Sequence, residues 1–211
     1  MKSYTHLAMP GRVIHGAGRI SELPEEAEAL GAKRIMFCCT KSRLPEVENI
    51  ATSLGERFAG ICDKAKIFVP LAAVELGREQ ARATEADCLV SFGGGTAVGL
   101  AKAIALEQGQ PIISIVTTYS GSETTALQGI IGHDGVRTNY RDMRMLPRSL
   151  IYDPELTLDV PLGVSVASGF NSISHAVSSY LGKDANPVAN MYSEHGIRTM
   201  SAALVQLAEN P

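Results

Sequence analysis

The sequence has 211 residues, 45% of them hydrophobic and 19% charged, which is typical of a folded globular chain rather than a disordered or fibrous one. A formal net charge of -3 and a pI near 6.0 provide no broad basic surface, which argues against a nucleic-acid partner. Residues 1–10 lack the pattern of a secretion signal and no apolar stretch reaches the length of a membrane span, so we expect a cytoplasmic protein without membrane contact.

Strand-like and helix-like segments alternate along the first part of the chain. Apolar runs of strand length occupy residues 34–40, 88–92 and 111–116. Segments with apolar residues three and four apart occupy residues 22–30, 45–58, 74–86 and 97–108. Because strands that alternate with helices pair in parallel through crossovers, the pattern predicts an α/β fold with a Rossmann-like, doubly wound parallel sheet.

The strand signal stops after residue 152, and two helices are predicted over residues 163–181 and 187–208. We therefore expect a nucleotide-binding domain at residues 1–152 and the start of an all-helical second domain at residues 153–211. The last helix carries an apolar stripe that needs a partner surface, formed by Met191, Ile197, Met200, Leu204 and Leu207. Either a second subunit in a homodimer or further helices of a longer protein would cover it, and we favour the longer protein.

The four cysteines are Cys38, Cys39, Cys62 and Cys88. They form no CxxC pair and have no histidine at metal-site spacing, so neither a zinc cluster nor a disulfide framework is indicated. We expect buried core thiols.

A glycine loop, Gly93-Gly94-Gly95-Thr96, joins a predicted strand to a predicted helix. Ligands bind at the carboxyl ends of parallel strands, and the free N–H groups at a helix start can bind a pyrophosphate. Thr96 would add a hydroxyl or serve as the N-cap. The segment is neither the GxGxxG fingerprint nor a P-loop, and a tight turn is the alternative to a phosphate site.

A second loop rich in hydroxyl groups, TTYSGSE at residues 117–123, follows the next predicted strand and would face the same cleft. Together with GGGTAVGLAKAIAL at residues 93–106 and YDPELT at residues 152–157, this hydroxyl loop resembles the nucleotide-binding signatures of the iron-containing alcohol dehydrogenases. Within that superfamily, Gly99 in place of an acidic residue, the compact hydroxyl loop and SVASGFNSISHA at residues 165–176 are similar to the maleylacetate reductases.

The resemblance implies a dehydroquinate-synthase-like fold and an NADH or NADPH cofactor. The glycine loop would hold the pyrophosphate, and Thr117, Thr118 and Ser122 would line the cofactor cleft. Thr40 would lie near the adenosine, whereas we expect Lys102 to be a solvated helix lysine rather than a ligand.

Asn171 and His175 lie four residues apart on a predicted helix and therefore project from one face. Metal-dependent relatives present Asp and His at this spacing and complete the site with later histidines. A neutral Asn weakens a site for a divalent cation, so we expect no metal here, and we interpret His195 as a surface histidine. For His175, a satisfied core histidine is the alternative to substrate contact.

The implied reaction is reduction of the C=C bond of maleylacetate to 3-oxoadipate, a step in aromatic compound degradation. Asn171 and His175 are the candidate catalytic pair, as donors to the ketone oxygen. A basic stretch with Arg137, Arg141 and Arg144 would bind the substrate carboxylates, or it is simply solvated. The alternatives are a metal-dependent alcohol dehydrogenase of the same superfamily and a truncated, non-catalytic nucleotide-binding chain.

Overall fold

The computed structural model describes residues 3, 4, 6 and 11–210, and these form two compact units. The larger unit takes in residues 11–117 and 121–158. The smaller unit takes in residues 3, 4, 6, 118–120 and 159–210. The domain boundary between residues 152 and 153 stays a prediction, and the expectation about a secretion signal falls largely on residues outside the described ones.

A six-stranded parallel sheet forms the centre of the larger unit. Its strands, in chain order, are β1 (Arg12–His15), β2 (Ile35–Cys38), β3 (Phe58–Cys62), β4 (Cys88–Gly93), β5 (Ile112–Val116) and β8 (Ser149–Tyr152). Their order across the sheet is β1-β8-β5-β4-β2-β3. Strands β6 (Leu127–Ile131) and β7 (Arg137–Arg141) form a separate antiparallel hairpin. The predicted parallel α/β architecture is confirmed.

Four α-helices connect the strands of the larger unit: α1 (Leu23–Ala29), α2 (Leu44–Ala51), α3 (Leu71–Ala83) and α4 (Gly95–Gln108). Helix α2 is shorter than predicted because Gly55, with φ 54° and ψ -128°, leaves the helical region inside the 3-10 turn Thr52–Arg57. Helix α4 starts earlier than predicted, directly in the glycine loop.

The sheet has an apolar core on each face, which explains why its central strands are apolar throughout. Along β4, Leu89 belongs to one buried cluster and Val90 to the other. Along β5, Ile112 and Ile113 divide in the same way. Alternating side chains of a strand point to opposite faces, so both faces of this sheet are covered.

All four cysteines are buried free thiols, as predicted. Burial raises the pKa of Cys39 to about 12 and that of Cys88 to about 12. Burial also raises the pKa of Cys38 and of Cys62. Because the thiolate is the reactive form, these four side chains are unreactive packing residues at neutral pH.

The smaller unit contains the two predicted helices, α5 (Leu162–Leu181) and α6 (Pro187–Glu209). The side chain of Asn186 caps α6 by accepting hydrogen bonds from the N–H groups of Val188 and Ala189 at 3.2 and 3.1 Å. The helices pack closely at Gly169, where a β-carbon would lie 2.8 Å from Cδ2 of Leu204. Helix α5 half-buries most of the predicted stripe on α6, while Met191 stays 60% exposed.

Within the described part of the chain, no helix combines the length and the apolar character that a membrane crossing requires.

Candidate functional site

The glycine loop and the start of the hydroxyl loop leave the sheet from neighbouring strands. Gly93, the last residue of β4, pairs with Val116, the last residue of β5. The N–H of Thr117 donates to the carbonyl of Gly93 at 3.1 Å. Both loops therefore begin at the carboxyl edge of the sheet and at the same level, as the sequence predicts.

The glycine loop presents backbone N–H groups at the start of α4. Gly94 is the N-cap, and its carbonyl accepts from the N–H groups of Ala97 and Val98 at 3.0 and 3.2 Å. The amides of Gly95 and Thr96 come before Ala97, the first residue whose N–H donates within the helix, and both residues are partly exposed. The partial positive charge of a helix N-terminus therefore lies at an accessible backbone surface.

The loop is also a tight turn, so the two interpretations of the glycines are compatible. Gly93 has φ 138°, a conformation that other residues rarely adopt, and a β-carbon there would lie 3.2 Å from that of Ala97. The prediction that Thr96 could be the N-cap is wrong, because the helix starts at Gly95 with Gly94 as its cap. The hydroxyl of Thr96 therefore does not cap the helix.

Thr40 lies at the point where the strand order reverses. Chain connections run from β2 outward to β3 and then return to β4 on the other side of β2. Cys38 of β2 pairs with Ser91 of β4, so Thr40 and Gly93, each two residues further along, lie at the same level. Ligands of open α/β sheets bind at such a reversal. Thr40 is half-buried, with its hydroxyl 3.0 Å from that of Ser42.

The residues of the hydroxyl loop divide between the two units. Thr117 is buried in the larger unit, and Ser122 is half-buried there, in the 3-10 turn Ser122–Thr124. Thr118 belongs to the smaller unit with Asn171 and His175. The structure thus brings Thr117 and Ser122 into the unit that carries the glycine loop.

The prediction that Lys102 is a solvated helix lysine is wrong, because the residue is fully buried. Its ammonium donates to the Thr125 hydroxyl and to the Leu127 carbonyl, each at 3.0 Å, and to the Ser122 carbonyl. Burial lowers the pKa of Lys102 to about 8, although the charge of Glu123 opposes the shift. The sequence feature that could have indicated this burial is the isolated lysine in the otherwise apolar segment GLAKAIAL.

Glu123 and Tyr152 form a second buried polar contact next to the hydroxyl loop. The phenol of Tyr152 donates to Glu123 Oε1 at 2.8 Å, and the Glu123 side chain is 3% exposed. Burial, together with the carboxylate of Glu123, raises the pKa of Tyr152 well above its usual range. Sequence analysis singled out neither residue, since a strand-end tyrosine and a loop glutamate carry no pattern that predicts a contact.

Asn171 and His175 lie on one face of α5, as predicted, and both side chains are exposed in the structure. Next to Asn171, Ser172 Oγ donates to the Tyr119 carbonyl at 2.8 Å, which joins α5 to the hydroxyl loop within the smaller unit. The alternative of a core histidine at residue 175 is wrong because the side chain is exposed. His195 is exposed, as predicted.

The described residues do not by themselves form a complete site for a divalent metal. Among them, His, Cys, Asp and Glu side chains form no group of three that could hold an ion. Asn171 and His175 supply one neutral amide oxygen and one imidazole, which falls short of the carboxylate and multiple histidines that iron or zinc sites use.

The basic stretch after the hydroxyl loop is exposed. Arg137 and Arg141 lie on β7, and the guanidinium of Arg137 covers Gly129 of the neighbouring strand. Arg144 is paired with the Asp142 carboxylate at 3.0 and 2.7 Å, and this ion pair lowers the pKa of Asp142 to about 2. Of the three predicted anion-binding arginines, Arg144 is therefore already paired, and Arg137 and Arg141 remain candidates.

Comparison with known proteins identifies the family. The family model for "Iron-containing alcohol dehydrogenase" matches residues 10–154. The maleylacetate reductase of Burkholderia cepacia is 43% identical over 211 residues, all of this chain and 60% of the relative. That of Sphingobium indicum is 37% identical over 203 residues, 96% of this chain and 57% of the relative.

A solved structure of maleylacetate reductase from Agrobacterium tumefaciens superimposes with a TM-score of 0.96 at 37% identity, covering all of this chain and 60% of the other. The chain thus spans about 60% of the length of these relatives. The similarity to the maleylacetate reductases predicted from the loops is confirmed, and the chain belongs to the iron-containing alcohol dehydrogenase family.

Proposed function

We propose that the chain provides the cofactor-binding part of an NADH- or NADPH-dependent reductase that reduces the C=C bond of maleylacetate to give 3-oxoadipate, in aromatic compound degradation. The chain spans about 60% of the length of its reductase relatives, so the activity is a proposal for the protein as a whole. The names of the relatives, at 36 to 43% identity, support this substrate.

The proposal rests on one observation, which is that the glycine loop and the hydroxyl loop begin side by side at one edge of the sheet. The hydrogen bond between Thr117 N–H and the Gly93 carbonyl joins the strand ends from which both loops begin. The amides of Gly95 and Thr96 would bind the pyrophosphate, and Ser122, in the same unit, would line the cleft beside it. Thr40, level with Gly93 on the adjacent strand, would contact the adenosine side.

A bound NADH or NADPH would supply the hydride. The residues of the chain would position the reacting groups and stabilise charge. Negative charge develops on the ketone oxygen of the substrate, and the Asn171 amide and the His175 imidazole, one turn apart on α5, are the proposed donors to it. We propose a metal-free reaction, because neutral donors can perform this stabilisation and Asn171 is a weaker ligand for a divalent cation than the carboxylate of metal-dependent relatives.

The substrate is a dicarboxylate, so a complete site needs positive charge. Arg137 and Arg141 are exposed on β7 and are our candidates for binding its carboxylates. We further propose a cytoplasmic protein without a nucleic-acid or membrane partner.

Incubation of the purified chain with maleylacetate, following NADH and NADPH oxidation with and without a chelator, tests the proposal. Direct binding of both cofactors is measured in the same samples. Chelator-resistant oxidation would support a metal-free reductase whose site lies within these residues. Cofactor binding without oxidation would favour a non-catalytic nucleotide-binding chain, and a folded chain that binds neither cofactor would contradict the proposal.

A metal-dependent alcohol dehydrogenase is the second candidate, and membership of an iron-containing family favours it. It requires Asn171 to act as a metal ligand beside His175. Metal analysis of the purified protein separates the candidates, since stoichiometric iron or zinc that is lost in Asn171→Ala together with activity would support this alternative.

A further inference from the structure

Lys102 is a charged group in a helix that is buried along most of its length. Every residue of α4 from Ala97 to Ala105 is buried, and Lys102 itself is 0% exposed. A buried ammonium is costly unless its protons are all bonded. The three hydrogen bonds of Nζ match its three protons.

All three acceptors belong to one short segment, Ser122 to Leu127. The Thr125 hydroxyl accepts from Lys102 and donates to the Ser122 carbonyl at 3.0 Å, so the bonds form a connected network. Backbone bonds of a short turn, from Thr124 N–H to Gly121 and from Thr125 N–H to Ser122, and a bond from Asp142 N–H to the Ala126 carbonyl also hold the segment. The ammonium therefore ties the segment to α4.

The same helix carries the glycine loop at its N-terminus. Gly95 begins α4, and Lys102 lies about two turns further along it. Ser122, the residue of the hydroxyl loop proposed to line the cofactor cleft, is a direct partner of the ammonium through its carbonyl. One rigid element thus connects the proposed pyrophosphate site with Ser122.

We propose that Lys102 is a positioning residue of the cofactor site, whose buried ammonium holds Ser122 and the turn after it at a set distance from the glycine loop. The inference rests on the proposed function, since the cofactor is what the two loops would bind together. Lys102 itself does not contact the cofactor. It acts by ordering a segment that would otherwise have to be ordered at the moment of binding.

The test compares Lys102→Met with the wild-type chain, using NADH and NADPH as probes. Methionine keeps an unbranched side chain that is only one atom shorter, and it removes all three donors. We expect both dissociation constants to rise about tenfold or more, equivalent to about 1.4 kcal/mol. Amides of residues 121–127 should exchange with deuterium faster in this variant without cofactor, while those of β4 and β5 keep their protection.

The control is Lys33→Met, which makes the same substitution at an exposed lysine before β2. It should leave cofactor affinity and exchange unchanged. Equal cofactor affinity of folded Lys102→Met and the wild type would overturn the inference and leave the proposed function intact. Absence of binding to the folded wild-type chain would overturn both.

A matched pair at Thr125 keeps the test decisive if Lys102→Met does not fold. Thr125→Val removes the hydroxyl that bonds both Lys102 and Ser122 with little change of shape, and Thr125→Ser retains it. We expect Thr125→Val to weaken binding about tenfold and Thr125→Ser to stay within about twofold of the wild type. Wild-type affinity in Thr125→Val would contradict the inference, because packing alone would then position the turn.

Discussion

Helices α4 and α6 show how the surroundings of a helix decide what its side chains can do. In α4 every residue from Ala97 to Ala105 is buried, so even its lysine is held in one place by hydrogen bonds. In α6 the only buried residue is Ser193, and Met191, Tyr192 and Val205 are 60%, 66% and 59% exposed. Helix α4 is apolar on all sides, whereas α6 has a single apolar stripe, and α4 is accordingly more deeply buried than α6.

The comparison predicts the largest difference in stability for equivalent truncations in the two helices. Ile104→Ala in α4 removes a fully buried side chain and should lower the free energy of unfolding by about 3 kcal/mol. Leu204→Ala in α6, where the side chain is half-buried, should cost about 1 kcal/mol. Urea denaturation of both variants gives the two values, and equal losses would show that α6 is as tightly packed as α4.

The buried charge of α4 should appear in the pH dependence of stability. Lys102 has a pKa of about 8 in the folded chain, below the ordinary lysine value of 10.5, so between these values the unfolded chain binds more protons. Stability from this group is therefore least below pH 8 and rises with pH through that window. Between pH 7 and 9.5 the gain is about 2 kcal/mol.

Comparison with Lys102→Met isolates this contribution. The buried cysteines and Tyr152 have raised pKa values and act in the opposite direction, but both chains contain them. Glu123 is the charged group that acts on Lys102. The stability of the wild type relative to the variant should rise with pH, measured by urea denaturation at both pH values. A constant difference would mean that Lys102 keeps an ordinary pKa.

The same substitution should have opposite effects at two glycines. Gly93→Ala places a β-carbon at φ 138° and 3.2 Å from that of Ala97, so it should cost about 1 to 3 kcal/mol and weaken cofactor binding. At Gly163, in the first turn of α5, an added β-carbon would have no neighbouring atom within 4 Å. Gly163→Ala should stabilise by about 0.5 to 1 kcal/mol. Thermal denaturation distinguishes the signs, and stabilisation by both would remove the argument for a strained turn at Gly93.

The smallest effect on stability is expected at the proposed catalytic pair. Asn171 and His175 are exposed, so Asn171→Ala and His175→Ala should each change the free energy of unfolding by less than about 0.5 kcal/mol. If they bind the ketone oxygen, each should lower kcat about 100-fold with little change in cofactor affinity. Steady-state kinetics alongside denaturation checks this, and unchanged kcat in both variants would exclude their role.

Local patterns were sufficient for three of the four interior strands of the sheet, while β8 was not predicted. Strands β2, β4 and β5 are buried on both faces, so their apolar runs are distinctive in the sequence. The edge strands β1 and β3 were not predicted, because each has an exposed surface that interrupts its apolar run. The glycine loop was located because only a strand-to-helix turn with close backbone contacts requires consecutive glycines.

Patterns within short stretches of the sequence were enough to predict the α/β class, the two loops at the sheet edge and the helical second part. They also predicted that Asn171 and His175 project from one helix face. The burial of Lys102 and the contact between Glu123 and Tyr152 became visible only once the elements were packed together. These contacts join residues 20 or more positions apart. They depend on how helix, loop and strand pack, and no local periodicity encodes that packing.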